Sequence, residues 1–178
     1  MLVKKWPLIL IILLGGIAVL GSYVLGVQVY PGKSELLWGG MPENLRPWIT
    51  ANMFLAAAGY LVYTYFILFR LDVAKTRVYH RYGFRTFYLL YAAILIPSAL
   101  WMPLTLLAVQ GISIAWVWLV RLDLVVVGLA SLALLFALWK IEPRQPKQLH
   151  RLSVIGAIFF CVQTVLLDAV VWSVYFGI

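Results

Sequence analysis

Charged residues and cysteines are both scarce in this sequence, and each scarcity excludes a class of protein. Only 11% of the 178 residues are charged, just six are acidic, and 65% are hydrophobic. Soluble domains are roughly 45–50% apolar, so this chain lacks the polar side chains to cover a soluble surface. Cys161 is the sole cysteine, which excludes an internal disulfide and a cysteine-based metal site. We also find no nucleophile motif, no metal-ligand cluster and no phosphate-binding loop.

Long apolar runs take the place of the missing polar residues. A membrane-spanning helix needs about 20 mainly apolar residues, and five runs are long enough. The first run is too long for the apolar core of a cleavable signal, so we interpret it as a span. The sequence therefore predicts an all-α membrane protein in which residues 1–178 form one five-transmembrane-helix bundle. The predicted spans are 8–30, 47–69, 86–109, 114–139 and 152–177.

The basic residues predict the orientation of these spans. Eleven of the 14 Lys and Arg residues fall on one side, in the N-terminus and in the loops 70–85 and 140–151. Because basic loops stay in the cytoplasm, we expect an N-in, C-out protein of the cytoplasmic (inner) membrane. The same charges lie in short loops between apolar runs, so we interpret them as topology signals and expect no nucleic-acid partner.

Polar side chains inside the spans are the first candidates for function. Asp123 in span four and Asp168 in span five each lie roughly 13 Å from the outer end of their helix. Ser98, next to Pro97 in span three, lies at a similar depth, and Asn52 in span two is shallower. Ionisable groups at such depth usually face a bundle interior or a cavity. Hydrogen bonding between helices, pairing with a neighbouring arginine, ligand binding and proton relay all remain open for the two aspartates.

Aromatic residues are the second group of candidates. Most of the eight Trp and ten Tyr lie near span ends, as in an interfacial belt. Tyr60, Tyr63, Tyr91 and Trp101 lie deeper, where they either pack between helices or line a pocket. The two histidines, His80 and His150, are predicted to be solvated loop residues.

Four segments, in order along the chain, resemble one known family. They are G-Y-L-V-Y at 59–63, L-Y-A-A-I-L-I-P-S-A-L-W-M-P at 90–103, L-D-L-V-V-V at 122–127 and V-L-L-D-A-V-V-W at 165–172. Together they resemble the TspO/MBR family of tryptophan-rich sensory or translocator proteins. Ser98 and Asp168 stand where that family has asparagine, and its paired tryptophans early in span two are not matched.

The resemblance implies a binding protein or sensor for a hydrophobic or amphipathic ligand, such as a tetrapyrrole, a sterol-like molecule or a lipid. Its pocket would lie beneath the loop between spans one and two, and a porphyrin or haem-like molecule would be the candidate cofactor. The expected lid residues are Trp38, Gly39, Gly40 and Pro42. The expected ligand-binding residues are Trp48, Asn52, Tyr60, Tyr63, Tyr91, Ser98, Trp101, Asp123 and Asp168.

Two other classes of function remain as alternatives. Small residues at Gly15, Gly16, Gly21, Gly26 and 56–59 offer smooth helix faces, which suit packing within the bundle or a homodimer about equally. The chain would then be a structural or assembly subunit of a larger membrane complex. Asp123 and Asp168 could instead perform acid–base chemistry in a membrane enzyme, the less favoured alternative. Membrane lipid and a hydrophobic small molecule are the partners expected in the favoured interpretation.

Overall fold

Five long helices make up most of the computed structural model, which describes residues 5–29, 34–111 and 113–176. All five are long and apolar enough to cross a membrane, as the sequence predicts. A short 3-10 helix, Ser34–Trp38, lies between the first two. The long helices are α1 (Trp6–Val29), α2 (Arg46–Tyr65), α3 (Thr86–Val109), α4 (Ile114–Trp139) and α5 (Lys147–Cys161).

Two of these helices continue beyond their α-helical part with π-helical hydrogen bonding. After α2 comes one π turn, Phe66–Arg70, and after α5 comes a π-helix over Val162–Trp172. A final turn, α6 (Ser173–Tyr175), follows the π-helix. π-helices are rare, mostly single turns, and frequent at functional sites. The long π segment is therefore a reason to look for function near the end of α5.

The helices pack in the order α1–α3–α4–α5–α2. Buried side chains form two clusters along this bundle. One contains Tyr63, Phe66, Phe87 and Tyr91, next to the basic loops, and we name that side the basic end. The other includes Met41 of the loop between α1 and α2, and we name that side the lid end. Its buried members are Met41, Ile49, Ala108, Val117, Val120, Leu124, Trp172 and Phe176.

Close backbone contact holds α2 against α5. Gly59 and Gly156 face each other so closely that a Cβ added at Gly156 would lie 2.7 Å from the Gly59 Cα atom. On α1, a Cβ at Gly15 would lie 2.7 Å from Leu95 Cβ. A Cβ at Gly16 would meet nothing within 4 Å. Gly15, Gly59 and Gly156 therefore serve packing within the chain, whereas Gly16 faces open space.

The basic end carries a small sheet that the sequence does not predict. Strand β1 (Arg77–Val78) pairs antiparallel with β2 (Tyr82–Gly83) and with β3 (Ile141–Glu142). The sheet ties together the two basic loops that the sequence marks only as charged connections. The prediction for His150 is wrong: α5 begins early enough to include it, and its buried ring bonds the Leu138 carbonyl oxygen at 2.9 Å.

Lys5 connects the start of α1 to the end of α2. Its side chain is buried, and its Nζ donates hydrogen bonds to the carbonyl oxygens of Leu68 and Leu71 at 2.6 and 2.5 Å. The last carbonyls of a helix lack partners within the helix, and a cation near them is favourable. Burial lowers the pKa of Lys5, and the carboxylate of Asp72 offsets part of that change. Lys5 is therefore a C-terminal cap for the helix that ends in the π turn after α2.

We expect Lys5→Met to lower the free energy of unfolding by about 1.5–3 kcal/mol, the usual contribution of hydrogen bonds to a charged donor. The shift in thermal unfolding midpoint of the detergent-solubilised protein measures this. Lys75→Met, at an exposed position four residues after Leu71, is the control and should change the free energy of unfolding by less than about 0.5 kcal/mol. Equal shifts in the two variants would contradict the capping role.

Candidate functional site

Four aromatic rings form a continuous column at the lid end, which we name the aromatic column. Tyr23 of α1 stacks on Trp101 of α3 with 5.5 Å between ring centroids. Trp101 meets Trp172 edge-on at 5.6 Å, and Trp172 stacks on Phe176 at 4.1 Å. The column thus runs from α1 across α3 to the end of α5. It presents large apolar ring surfaces contributed by three helices.

The loop expected to be a lid lies on the end of this column. Trp172 Nε1 donates to the Leu37 carbonyl oxygen at 2.8 Å, and the Gly40 amide donates to the Tyr175 carbonyl oxygen at 2.9 Å. Gly39 has a φ of 55°, and a Cβ there would lie 2.8 Å from the Tyr175 oxygen. Glycine is therefore required at this position by both conformation and space.

We name this loop, residues 35–45, the lid segment. Arg46, the first residue of α2, also contacts it. Its guanidinium forms an ion pair with Glu35, lies 5.6 Å from the Trp38 ring centre and donates from Nε to the Met41 carbonyl oxygen at 3.3 Å. Pro42, the last expected lid residue, is exposed. The lid segment is thus docked on the bundle by contacts at both of its ends.

Beneath the lid segment, three polar side chains form a chain of hydrogen bonds between α2 and α5. Asn52 Nδ2 donates to Gln163 Oε1 at 3.0 Å, and Gln163 Nε2 donates to Asp168 Oδ1 at 2.8 Å. Asp168 lies four residues before Trp172 in the same π-helix. The polar chain and the aromatic column therefore share this helical segment.

The π-helix explains why Gln163 can bond Asp168. Side chains five residues apart on an α-helix point about 140° apart around the axis. A π-helix bonds residue i to residue i+5, which brings such residues close to the same face. The segment Val162–Trp172 thereby turns Asp168 toward Gln163 and places Trp172 under the lid segment. This local geometry assembles the polar chain and the aromatic column on one helix.

Several buried polar atoms near the lid end have no hydrogen-bond partner. They are Trp101 Nε1, Thr105 Oγ1, Arg121 Nε and Asp123 Oδ2. Thr105 is fully buried and Asp123 is 9% exposed. Folded proteins pair the great majority of buried polar atoms with protein or water. Atoms that lack a partner within the described part of the chain can bind water or another molecule.

The structure brings together only part of the site that the sequence predicts. Asn52, Trp101 and Asp168 join the polar chain or the aromatic column, and each side chain remains partly exposed. Asp123 is buried on α4, with its Oδ2 free. The Ser98 hydroxyl donates to the Ile94 carbonyl oxygen of its own helix at 2.7 Å, so it has a local partner.

The remaining predicted residues lie elsewhere. Tyr63 and Tyr91 are fully buried at the basic end, and their rings pack against Tyr60 with centroid distances of 5.5 and 6.0 Å. The Tyr91 hydroxyl is 2.7 Å from that of Thr64. Trp48 is 74% exposed. The structure thus places the three tyrosines in the packed core and Trp48 on the outer surface, away from the aromatic column.

Tyr23, Gln163 and Trp172 belong to the site but were not predicted as site residues. Tyr23 lies in an apolar run where nothing marks its direction. Trp172 ends the segment 165–172 that resembles the family, and that match is its one signal. Gln163 is polar within a span, which is the one available signal. Its link to Asp168 was hidden because five residues is not an α-helical spacing.

Comparisons with protein-family models, with curated proteins and with solved structures find no match to this chain. The site must therefore be interpreted from its own geometry. That geometry combines apolar rings, a short polar chain and unpaired buried polar atoms. Such a combination is typical of a binding site for a mostly apolar molecule that carries a few polar groups.

Proposed function

We propose that this chain is an integral membrane protein of the TspO/MBR type that binds a hydrophobic or amphipathic small molecule at the lid end. The observation that carries the proposal is that one π-helical segment, Val162–Trp172, holds both the polar chain and Trp172 of the aromatic column, and that Trp172 bonds the lid segment. Ligand sites are commonly apolar and aromatic with a few placed polar groups. A tetrapyrrole, a sterol-like molecule or a lipid has this chemistry.

Each part of the site has a role in this proposal. The exposed part of the Trp101 ring stacks on the flat or apolar body of the ligand, and its Nε1 donates to a polar group. Asp168, held by Gln163, accepts from a hydroxyl or amine of the ligand. The lid segment separates the ligand from water. The four segments that resemble the family support this role, because two of them contain Trp101 and Asp168.

The orientation belongs to the same proposal. We place the N-terminus and the basic end in the cytoplasm, with the lid end on the opposite side of the cytoplasmic membrane. The support is that the two basic loops meet in one small sheet beside Lys5, so the positive charge is gathered at one end. A ligand would then enter from the outer leaflet or the outer aqueous phase.

Tryptophan fluorescence of the purified protein tests the ligand site with three probes: protoporphyrin IX, cholesterol and oleic acid. We expect at least one probe to quench the fluorescence saturably. Trp101→Ala should weaken that probe's binding by roughly fivefold, since aromatic contacts contribute about 0.5–1.5 kcal/mol. Because Trp101→Ala also removes a tryptophan fluorophore, displacement of the bound probe by a competing ligand gives a Kd that does not depend on Trp101 fluorescence.

Trp139→Ala is the matched control, because Trp139 is exposed at the basic end of α4. It should leave the Kd unchanged. Asp168→Asn keeps the shape of the side chain and removes its charge, so it tests the polar chain separately. Equal affinity in wild type, Trp101→Ala and Asp168→Asn, or no saturable quenching by any probe, would overturn the proposed site.

A further inference from the structure

A cleft lies on the outside of the bundle near the lid end. It has a volume of about 320 Å³ and is lined by Arg121 of α4 together with Ala169, Val170, Ser173 and Val174 of the last helical segment. Val170 and Val174 are 51% and 55% exposed, so the cleft opens outward. One charged side chain thus stands at the edge of an otherwise mainly apolar groove.

The guanidinium of Arg121 has more N–H donors than the one that bonds the Phe176 carbonyl oxygen. One NH2 group donates to the Phe176 carbonyl oxygen at 3.1 Å, and the guanidinium lies 5.0 Å from the Trp118 ring centre. Arg121 Nε is shielded from solvent without a partner. Within residues 5–29, 34–111 and 113–176, the ion pairs are Arg46–Glu35 and His80–Glu142, and neither involves Arg121. An arginine has five N–H donors, and most of these remain available.

The depth of Arg121 suits a lipid headgroup. It lies seven residues after Ile114, the start of α4, which is about 10 Å along the helix axis. The polar region of a bilayer adds about 5–8 Å on each side of its hydrocarbon core. Arg121 therefore lies near the boundary between headgroups and acyl chains, where an unpaired charge is unfavourable and a lipid phosphate is within reach.

We propose that this groove binds one anionic phospholipid. Its phosphate accepts paired hydrogen bonds from the Arg121 guanidinium, whose flat fork matches two phosphate oxygens. One acyl chain lies along Ala169, Val170 and Val174. The inference depends on the membrane location but not on the aromatic column or the polar chain, since no residue that lines the groove belongs to either.

Competition between lipids in detergent micelles tests this proposal. A fluorescent phosphatidylglycerol is bound to the purified protein and displaced by unlabelled phosphatidylglycerol or phosphatidylcholine. Both lipids carry a phosphate, but the choline cation of phosphatidylcholine offsets its charge beside Arg121. We therefore expect phosphatidylglycerol to compete about fivefold better. Arg121→Gln should reduce this preference to about twofold or less. Lys75→Gln, which removes an exposed charge at the basic end, should leave it unchanged.

A second variant tests the apolar wall of the groove separately from the charge of Arg121. Val174→Trp keeps Arg121 but fills the apolar wall, so it should weaken both lipids while thermal unfolding stays close to wild type. It also provides the test if Arg121→Gln does not fold. Equal competition by the two lipids, or an unchanged preference in Arg121→Gln, would overturn the proposal. Displacement of the labelled lipid by inorganic phosphate would also overturn it, because the site would then bind free anions.

Discussion

Gly156→Val is expected to lower the free energy of unfolding by about 3 kcal/mol or more, the upper range for inserting atoms into a packed contact. The new Cβ would lie 2.7 Å from the Gly59 Cα atom and 3.0 Å from the Gly59 carbonyl oxygen. Both of these atoms belong to the backbone of α2, so no side chain can rotate away to relieve the overlap. The two helices would have to separate along their whole contact.

The measurement is unfolding of the protein in mixed micelles with increasing SDS, followed by circular dichroism. Gly16→Val is the matched control, since its new Cβ would meet nothing within 4 Å. Valine and glycine differ by only about 0.5 kcal/mol in helix propensity, so the control should stay near wild type. If both variants lost the same stability, the close contact of α2 with α5 would not be what Gly156 provides.

The same contrast shows how much of the fold the sequence can predict. The length of an apolar run depends directly on membrane thickness, so five spans were predictable. Whether a glycine on a span faces a partner helix depends on its direction around the axis. Spans that are apolar on all sides carry little information about that direction. Gly15 and Gly16, adjacent on α1, were therefore indistinguishable until the neighbours of each were known.

The candidate site shows the same limit. Depth along a helix predicted one layer for Asp123, Asp168 and Ser98, but depth does not say which side chains face one another: Asp168 bonds Gln163, whereas Ser98 bonds its own helix. Tyr63 and Tyr91 were expected to line the pocket because they lie away from the span ends, and their rings pack in the core at the basic end. Gln163 needed the π-helix to reach Asp168, and the change from α to π hydrogen bonding leaves no periodic signal. The positive-inside rule likewise reports the side of Lys5 but not that it caps α2.

The resemblance to the TspO/MBR family implied a lid at this loop, and its glycine and aromatic residues suited a flexible loop. The structure gives the glycines another role. Gly39 adopts a positive φ close to the Tyr175 carbonyl oxygen, and the Gly40 amide bonds that oxygen. These residues let the loop approach the end of α5 closely. Detachment of the lid segment from the bundle must therefore break specific hydrogen bonds. Trp172 donates one of them, to the Leu37 carbonyl oxygen.

Trp172→Ala is expected to detach the lid segment and to lower the free energy of unfolding by about 3–5 kcal/mol, as for other large aromatic residues removed from a core. The variant loses the stacking of Trp172 on Phe176 and Trp101, together with the hydrogen bond to the Leu37 carbonyl oxygen. Hydrogen exchange followed by mass spectrometry should show faster exchange over residues 35–45, while α2 beyond Tyr60 keeps its protection.

Trp172→Phe helps to separate the two contributions, because it keeps a six-membered aromatic ring for stacking and removes the N–H donor together with the second ring of the indole. It should cost about 0.5–1.5 kcal/mol and still speed exchange in the lid segment. Trp139→Ala, at the exposed basic end of α4, should change neither quantity. If exchange over residues 35–45 were equally slow in wild type and both Trp172 variants, the lid segment would be held by Arg46 and the glycines alone. Access to the aromatic column would then be controlled from the α2 side.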